Sequence, residues 1–414
     1  MRIGFDVCRG CLSNKLFDGV DLGSLPIANE LYSDFRRNHE VFPLNMKICA
    51  DCGLGQVENL ISPKRLFEDY RYLSSVSSSF LNHAKNYAER LTSELLLDEK
   101  SLVIEIASND GYFLRNFLDK GTRVLGIEPA KNIAVVALNL GINTLCRFFG
   151  SETALEILSK HGKADVIVAN NVAAHVPDLC DFLSGIAILC KPETIVSIEN
   201  PSILNILEGA QFDTIYHEHF SYLSANSIRI AAERCNLVLF KVEEISTHGG
   251  SLRFLLKLDS ASARDLAVEN CINQLCDQEK EKGLLDPEAW MYCQQNINSV
   301  LGNFRDWIAN AKNEGRKILG FGAAAKSSTL INASKILPGS IDGIIDSSLE
   351  KQGRMMPSHN IPIISITDAV EMQPTDVVIF PWNLKDEIHH IILDSFVILP
   401  RVWVAIPKLM EVQK

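Results

Sequence analysis

The stretch LVIEIASNDGYFLRNF, residues 102–117, decides the fold of the middle of the chain. An apolar run is followed by a turn of small residues and then by helical spacing, which predicts strand, turn and helix in succession. Three further apolar runs follow, with helical patterns between them: RVLGIEP, DVIVAN and TIVSIEN. This alternation predicts a Rossmann-like α/β domain, a parallel sheet with helices on both faces.

The turn in this stretch can hold a polar ligand, because backbone N–H groups at a helix start are available and small residues permit close approach. It lacks the G-x-G-x-x-G pattern of a dinucleotide site. An acidic residue precedes the turn, and Glu128 ends the next strand, where a carboxylate can accept both hydroxyls of an adenosine ribose. The pattern favours S-adenosylmethionine, held by residues at four strand ends: Ala107, Ser108, Asn109, Gly111, Glu128, Pro129, Phe148, Asn170 and Asn171.

The composition indicates a folded protein without a basic surface. The chain has 414 residues, too many for one compact core, so two or three domains are expected. The formal net charge is −11 and no Lys/Arg-rich run occurs, so we expect no nucleic-acid partner. No run of roughly 18 apolar residues and no signal-peptide pattern occur, so we expect no membrane partner and a cytoplasmic location. The 11 cysteines should then stay reduced.

Two Cys-x-x-Cys pairs lie near the start of the sequence, in a region whose scattered Gly, Pro and Asn residues predict loops over residues 1–70. The spacing between the pairs is longer than in a compact zinc ribbon, and four incidental buried cysteines are the alternative. A redox pair is disfavoured, because no thioredoxin-like βαβ pattern surrounds either motif. We expect a structural zinc site, closed to chemistry because all four positions are taken by Cys8, Cys11, Cys49 and Cys52.

A second series of apolar runs begins at KILGFG, residues 317–322, and continues through IDGIID, DVVIFPW and VWVAIP, which predicts a second Rossmann-like domain. Its GFGAAAKSS segment matches the dinucleotide fingerprint at Gly320, Gly322 and Ala325, with Asp346 one βαβ step later. It is also one residue from a P-loop, but the Cβ of Ala325 obstructs that turn. The alternative of an NAD-dependent oxidoreductase follows from this segment. Binding of another phosphate-bearing ligand, or a scaffolding role, is the preferred interpretation.

The segment IYHEHFSYL, residues 215–223, places two histidines around a glutamate. In a strand, His217 and His219 would lie on one face, as the ligands of a metal ion could. The residue types alone leave three possibilities open: a metal site, an acid–base centre, or a strand without chemistry.

The four cysteines and five further motifs resemble, in the same order along the chain, the sugar C-methyltransferases of deoxysugar biosynthesis. The motifs are EIASNDG, NVAAHVPD, FDTIYHEHFSYLS, THGGSLR and GFGAAAKSSTLIN. The resemblance implies a zinc-binding domain (residues 1–72), a domain that binds S-adenosylmethionine (residues 73–280) and a C-terminal Rossmann-like domain (residues 281–414). The family reaction is methylation at C3 of a nucleotide-diphosphate 4-keto-6-deoxyhexose, which would lie between the last two domains.

The resemblance also implies roles for individual residues. His219 resembles the general base that removes the C3 proton, with Tyr216, Glu218 and His175 as its companions in the same pocket, whereas His217 is expected to be a bystander. The residues expected near the substrate are Tyr70, Tyr72, Arg253 and Lys326. Ala107 stands where the family usually has glycine, and serines replace a Gly-Asn pair after Lys326, which leaves the nucleotide and sugar preference open. A non-catalytic homologue that binds a sugar nucleotide is the remaining alternative.

Overall fold

The computed structural model describes residues 6–36, 39–58, 60–67, 73–76, 78–259 and 265–413. Within these ranges the strands are β1 (Leu16–Leu25), β2 (Phe42–Cys49), β3 (Gly55–Val57), β4 (Leu102–Ile106), β5 (Arg123–Ile127), β6 (Thr144–Leu145), β7 (Ala164–Asn170), β8 (Cys190–Pro201), β9 (Ser221–Tyr222), β10 (Leu237–Ile245), β11 (Ser251–Leu258), β12 (Ile318–Phe321), β13 (Gly343–Ile345), β14 (Ile363–Ile364), β15 (Asp376–Ile379), β16 (Arg401–Val404) and β17 (Met410–Glu411). The helices are α1 (Pro63–Phe67), α2 (Ser78–Glu94), α3 (Arg115–Leu118), α4 (Lys131–Asn139), α5 (Ser151–His161), α6 (Leu179–Leu189), α7 (Leu204–Gly209), α8 (Ala225–Glu233), α9 (Leu266–Glu281), α10 (Pro287–Asn313), α11 (Ala325–Ala333), α12 (Ile366–Met372) and α13 (Lys385–Ser395).

The chain forms two compact units, each assembled from three separate stretches. The first unit comprises residues 1–17, 48–203 and 220–286, and the second comprises residues 18–47, 204–219 and 287–414. The boundaries of the three domains inferred from the sequence remain predictions. Among the described residues, no helix combines the length and the apolar character needed to cross a membrane.

The first unit contains a seven-stranded sheet in the order β10-β11-β8-β7-β4-β5-β6. Strands β4 to β8 are mutually parallel, and β11 is inserted antiparallel between β8 and β10. All five residues of β4 are buried, as expected for a central parallel strand covered on both faces. The four apolar runs between residues 102 and 201 form β4, β5, β7 and β8 as predicted, and the structure adds the two-residue strand β6.

Helices of the first unit begin where the sequence supplies a cap and an apolar face. Asp178 caps α6, because its side chain accepts the N–H of Asp181, an interaction that contributes about 1 kcal/mol. On α2 the buried residues recur at helical spacing, at Ala84, Tyr87, Ala88 and Leu91. This helix matches the amphipathic pattern predicted over residues 80–97.

The second unit contains a six-stranded sheet in the order β14-β13-β12-β15-β16-β17, parallel except for β17. Its four predicted strands fall at β12, β13, β15 and β16, as the apolar runs indicate. The 27-residue helix α10 turns a regular apolar stripe inward, including Trp290, Ile297, Phe304 and Ile308. The prediction of a second Rossmann-like sheet is confirmed.

The prediction of loops over residues 1–70 is wrong for two segments. Strand β1 extends over ten residues and β2 over eight. In β1 the aspartates and glycines of LFDGVDLGSL lie mostly on the outer face, while Val20, Leu22 and Leu25 are buried. These turn-forming residue types obscure the alternation that would otherwise indicate a strand.

Candidate functional site

The four predicted zinc ligands converge in the first unit. Their sulfur atoms all lie within 4.8 Å of one another, with Cys8 Sγ 3.5 Å from Cys52 Sγ and Cys11 Sγ 3.5 Å from Cys49 Sγ. In a tetrahedral site with Zn–S bonds of about 2.3 Å, sulfur atoms are about 3.8 Å apart. Within the described ranges this is the group of His, Cys, Asp or Glu side chains that could hold a metal ion.

Two similar turns present these thiols. The N–H of Leu12 donates to Cys8 O at 2.9 Å, and the N–H of Gly53 donates to Cys49 O at 2.8 Å. The residue after each pair has a left-handed backbone, with φ of 63° at Leu12 and 76° at Gly53. Hydrogen bonds from Cys52 and Cys8 lower the pKa of the Cys49 thiol to about 2, whereas hydrogen bonding with Cys11 and Cys49 raises the pKa of Cys52. All-sulfur donors at tetrahedral spacing fit zinc and leave no open coordination position.

The turn after β4 lies at the carboxyl edge of the first sheet, where ligands of α/β proteins bind. Its backbone is left-handed at Ala107, Asn109 and Gly111, with φ of 55°, 50° and 81°. Glycine adopts that conformation without strain at the first of these positions, which explains the family preference from which Ala107 departs. The turn leads to the short helix α3, so the helix begins at Arg115, later than the sequence pattern indicates.

Glu128 links this turn to the end of β5. Its carboxylate accepts the N–H of Asn109 at 3.0 Å and the N–H of Ala130 at 2.9 Å. Burial raises the pKa of Glu128 to about 7, although the two backbone donors favour its ionised form. Glu105, fully buried in β4, has a pKa well above its usual range because of burial and the nearby charges of Asp110 and Glu128. The carboxyl groups of Glu105 and Glu128 are therefore costly to ionise when no ligand is bound.

Several polar atoms at this edge are buried without a hydrogen-bond partner in the part of the chain that the structure describes. They are Ser108 Oγ, Asn170 Oδ1 and Asn171 Oδ1. Asn171 has a left-handed backbone, and its N–H donates to Glu199 O at 2.7 Å. Buried polar atoms of this kind need partners, which a nucleoside with hydroxyl and amino groups supplies. Pro129 is half-buried and the ring of Phe148 is exposed. These residues are compatible with S-adenosylmethionine, and the role of Glu128 as ribose acceptor stays a prediction.

Arg253, expected near the substrate, is buried in a charged network inside the first unit. Its guanidinium donates to Glu199 at 2.7 Å and to Glu243 at 3.2 Å, and it lies 3.4 Å from the centre of the Tyr87 ring. The imidazole of His83 lies 3.1 Å from Glu199. The ion pairs hold the pKa of Glu199 at about 2 against its burial. Two of the donor groups of Arg253 are thus engaged by protein carboxylates.

His175 ends a 3-10 turn, Ala173–His175, that follows β7. Its imidazole is half-buried and lies edge-on to the Phe67 ring, 5.4 Å between centres. Phe67 is the last described residue before the segment that contains Tyr70 and Tyr72. Both tyrosines lie outside the described residues, so their expected place near the substrate remains a prediction.

The segment with the two histidines belongs to the second unit, and residues 217–218 form a turn where a strand was expected. The N–H of His219 donates to Tyr216 O at 2.9 Å, which closes the turn. In a turn, alternate side chains do not share a face, so the paired-imidazole arrangement of a metal site is lost. The strand interpretation of the His-x-His motif is corrected accordingly.

The hydrogen bonds of His219 define its tautomer. Nδ1 lies 2.9 Å from Thr214 O, and a carbonyl can only accept, so Nδ1 carries the hydrogen. Nε2 of the neutral ring is then an acceptor, and the Tyr216 hydroxyl, 2.8 Å away, donates to it. The two rings are 4.0 Å apart between centres, and His219 is buried. The arrangement prepares Nε2 to take a proton.

The neighbours of His219 have different surroundings. The Nε2 atom of His217 lies 3.2 Å from both Phe42 O and Pro43 O, and burial lowers its pKa. Glu218 accepts the N–H of Asn29 at 3.2 Å, and burial raises its pKa to about 7. Both side chains contact the stretch of residues 18–47 within the second unit, which is consistent with the bystander role expected of His217.

Lys326, at the start of α11, is placed against the segment that carries His219. Its Nζ lies 4.0 Å from Asp213 Oδ2 and 4.7 Å from the centre of the Trp382 ring. Trp382 Nε1 donates to the same carboxylate oxygen at 2.9 Å. Burial raises the pKa of Asp213 and lowers that of Lys326. Thr329, one turn along α11, donates to Ile215 O at 3.2 Å.

The glycines that match the dinucleotide fingerprint have a packing role. A Cβ atom at Gly320 would overlap the Phe380 ring, and one at Gly322 would overlap Pro381. Asp346, which stands where the fingerprint has its acidic residue, accepts the N–H groups of Ala323 at 2.8 Å and Ser348 at 2.9 Å. The close packing of β12 against residues 380–381 explains the glycine pattern without a nucleotide.

Sequence reasoning missed four residues whose importance depends on long-range contacts. Asp213 and Glu199 occur in the quoted motifs, but the sequence around them does not indicate that they form ion pairs. Arg9 and Phe220 are likewise joined across 211 positions: the Arg9 guanidinium donates to Phe220 O and to Val57 O. The burial of Arg9 between two zinc ligands is visible only in the structure.

Three family models match successive parts of the chain. A zinc binding domain matches residues 8–67, a methyltransferase domain matches residues 80–242, and a C-methyltransferase C-terminal domain matches residues 246–395. C-methyltransferase NovU of Streptomyces niveus is 31% identical over 385 residues, which cover 92% of this chain and 91% of that protein.

Solved structures show a weaker likeness. A S-adenosylmethionine-dependent methyltransferase from Clostridium acetobutylicum ATCC 824 is 11% identical, covers 44% of this chain and 92% of its own, and has a TM-score of 0.35. The PH0226 protein from Pyrococcus horikoshii OT3 is 12% identical, covers 47% of this chain and 98% of its own, with a TM-score of 0.36. These scores are too low to establish a shared fold.

The order of the three matched models is the order of the motifs in the sequence, and the NovU alignment spans nearly the whole chain. S-adenosylmethionine and zinc are the cofactors, and the four-cysteine cluster is the group of side chains that fits the zinc. The chain therefore belongs to the C-methyltransferase family that its motifs resemble, and is a methyltransferase dependent on S-adenosylmethionine.

Proposed function

We propose that the chain transfers a methyl group to C3 of a nucleotide-diphosphate 4-keto-6-deoxyhexose, in the biosynthesis of a branched-chain deoxysugar. The observation that carries the proposal is the buried His219, whose Nδ1–H donates to Thr214 O and whose Nε2 is the acceptor nitrogen. A carbon acid needs a base of this kind, whereas transfer to a more reactive oxygen or nitrogen often does not. The motif resemblance supports the sugar-nucleotide substrate, and the relative named C-methyltransferase supports methylation at carbon.

Proton removal from C3 is the step assigned to His219. The electron pair of the C3–H bond forms the enolate double bond, the carbonyl π electrons move to the C4 oxygen, and the proton goes to Nε2. The resulting imidazolium keeps its Nδ1–H bond to Thr214 O, so the ring orientation is preserved while it carries the charge. Histidine suits this task because its ordinary pKa is close to neutral pH.

Tyr216 has two successive roles in this scheme. Its hydroxyl donates to Nε2 when no substrate is present, and must leave that nitrogen when the C3–H bond approaches. The released hydroxyl can then donate to the oxygen that gains negative charge, and because it must first reorient, its contribution should be smaller than the roughly 3 to 4 kcal/mol of a preorganised donor. S-adenosylmethionine would supply, when bound, the electrophilic methyl group for the enolate carbon.

Lys326 is proposed to bind the diphosphate of the substrate. Its Nζ has no hydrogen-bond partner in the described residues and lies at the start of α11, where backbone N–H groups also favour an anion. The Asp213 carboxylate, 4.0 Å away, is a distant partner for a buried ammonium. A phosphate oxygen would supply the closer contact that burial of the cation requires.

The test uses labelled S-adenosylmethionine and 4-keto-6-deoxyhexoses linked to thymidine, uridine, guanosine or cytidine diphosphate. We expect label at C3 of one sugar, located by NMR. Absence of transfer to every sugar, while S-adenosylmethionine binds, contradicts the proposal.

His219→Gln is expected to lower kcat by roughly 10²- to 10⁴-fold with cofactor affinity unchanged, because it removes the base and nothing at the cofactor edge. His217→Gln is the matched control, two residues away and equally buried, and should retain activity. Full activity of His219→Gln would remove the proposed base.

A further inference from the structure

Arg9 lies between the zinc ligands Cys8 and Cys11, and it is almost completely buried. Its guanidinium donates to two backbone carbonyls, Phe220 O and Val57 O. Its own N–H donates to Gln56 Oε1 at 3.0 Å. A buried cation directed at two carbonyl oxygens forms strong, oriented hydrogen bonds.

Phe220 is fixed in the first unit from several sides. Its N–H donates to Ala174 O at 2.7 Å, in the 3-10 turn that ends at His175. Its carbonyl oxygen accepts the N–H of Val57 at 3.0 Å in addition to the Arg9 guanidinium. The ring is 1% exposed, and the guanidinium carbon lies 5.9 Å from its centre. Each of these contacts restricts the backbone of the residue that follows His219.

We infer that Arg9 is a positioning residue for the reaction: by holding the Phe220 carbonyl, it sets where the backbone of His219 is anchored. The inference rests on the proposed role of His219 as base. A planar peptide bond joins the two residues, so their Cα atoms stay about 3.8 Å apart and a shift of one moves the other. Misplacement of a reacting group by about 1 Å can cost roughly 100-fold in rate. The zinc turn thus contributes to proton abstraction through Arg9, without contact between the metal and the substrate.

The test compares Arg9→Met and Arg9→Lys with the control Lys15→Met, which removes an exposed ion pair to Asp51 from the same zinc turns. Methionine fills similar space without donating, whereas an ammonium can hold one carbonyl but lacks the planar fork that holds two. Zinc content and S-adenosylmethionine affinity are measured for each protein. We expect both to stay within about twofold of wild type, because neither ligand set includes Arg9.

The first readout is amide hydrogen exchange of peptides that contain Val57 and Phe220. We expect roughly tenfold faster exchange in Arg9→Met, an intermediate rate in Arg9→Lys and no change in Lys15→Met. Unchanged exchange in Arg9→Met overturns the inference. If Arg9→Met does not fold, the exchange rates of Arg9→Lys and Lys15→Met are compared instead. Equal exchange rates in these two variants then overturn the inference.

The second readout isolates the base step. With S-adenosylhomocysteine bound, exchange of the C3 proton of thymidine diphosphate 4-keto-6-deoxyglucose into heavy water is followed by NMR. We expect Arg9→Met to lower this rate by about 100-fold, as for a misplaced base. A wild-type rate in Arg9→Met, with exchange abolished in His219→Gln, overturns the positioning role and leaves the proposed function intact. A wild-type rate in His219→Gln removes the base itself and, with it, the inference.

Discussion

At the scale of single residues, Glu128 shows how burial acts on a carboxylate that we propose binds the ribose of the cofactor. Two backbone N–H groups hold its carboxylate, yet burial dominates and raises its pKa to about 7. In the cofactor-free protein the folded state resists ionisation of Glu128. The free energy of unfolding therefore falls as the pH rises from the ordinary glutamate pKa through about 7. The ionised form is nevertheless the one that can accept both hydroxyl hydrogens of a ribose.

Cofactor affinity should therefore increase with pH across this range. We expect the Kd of S-adenosylmethionine to be about tenfold larger at pH 6 than at pH 8, because the ionised fraction of a group with pKa near 7 changes by that factor. Isothermal calorimetry at pH 6, 7 and 8 provides the measurement. Glu128→Gln should bind weakly at all three values, and a pH dependence that persists in this variant would assign the effect to another group.

The tautomer of His219 illustrates what the sequence leaves undetermined at this scale. The residue types in IYHEHFSYL allowed a metal site or a base, and the resemblance favoured His219. The carbonyl of Thr214, five positions earlier, decides which nitrogen can accept a proton, and it does so through a turn that was expected to be a strand. Arg253 and Lys326 were selected from motifs, but their carboxylate partners come from distant positions that no local pattern indicates.

At the scale of elements, the two zinc turns repeat one local design. Each places two thiols three positions apart, closes with a backbone hydrogen bond of 2.8 or 2.9 Å, and continues through a left-handed residue. This design is encoded over five residues, which is why the Cys-x-x-Cys spacing predicted the site correctly. The parallel strands were equally readable, because strands buried on both faces appear as unbroken apolar runs. Strand β1 was missed because its outward face carries turn-forming residues.

Loss of one thiol should release the metal and loosen both turns. We expect Cys49→Ser to purify with little zinc and to unfold at lower temperature, since bound zinc contributes folding free energy directly, about 10 to 16 kcal/mol in isolated zinc fingers. Metal analysis and calorimetry are the measurements. Cys146→Ser, which alters an exposed cysteine outside the cluster, should match the wild-type protein. Full zinc occupancy in Cys49→Ser would contradict the four-cysteine site.

At the scale of the whole molecule, the order of residues in the chain does not follow the division into compact units. Residues 18–47 and 204–219 belong to the second unit, although the sequence around them belongs to the first. Within the second unit, the segment carrying His219 depends on α11, through the bond from Thr329 to Ile215 O and the contact of Lys326 with Asp213. Sequence patterns could not indicate this arrangement, because periodicity identifies elements but not which distant elements share a core.

A chain truncated after Asp286 tests the division into two compact units. It retains every residue of the first unit and lacks α11, so we expect S-adenosylmethionine binding without methyl transfer. Hydrogen exchange of a peptide covering residues 212–219 should be faster than in the full chain, because its partners in residues 287–414 are gone. Calorimetry and exchange mass spectrometry provide the two measurements. Methyl transfer by the shortened chain would show that the His219 segment does not need residues 287–414.

The interleaving of the two units also has a consequence during synthesis on the ribosome. The first stretch of the second unit ends at Lys47, within strand β2. Helix α11 of the same unit begins about 280 residues later. At translation rates of 5 to 20 residues per second, the first stretch of the second unit is made roughly 15 to 55 s before α11. Leu44 and Met46, which are 1% exposed in the finished protein, belong to that first stretch. Because the second unit stays incomplete until residues 287–414 are made, we expect newly made chains to depend on holding chaperones more than chains whose domains follow one another in sequence.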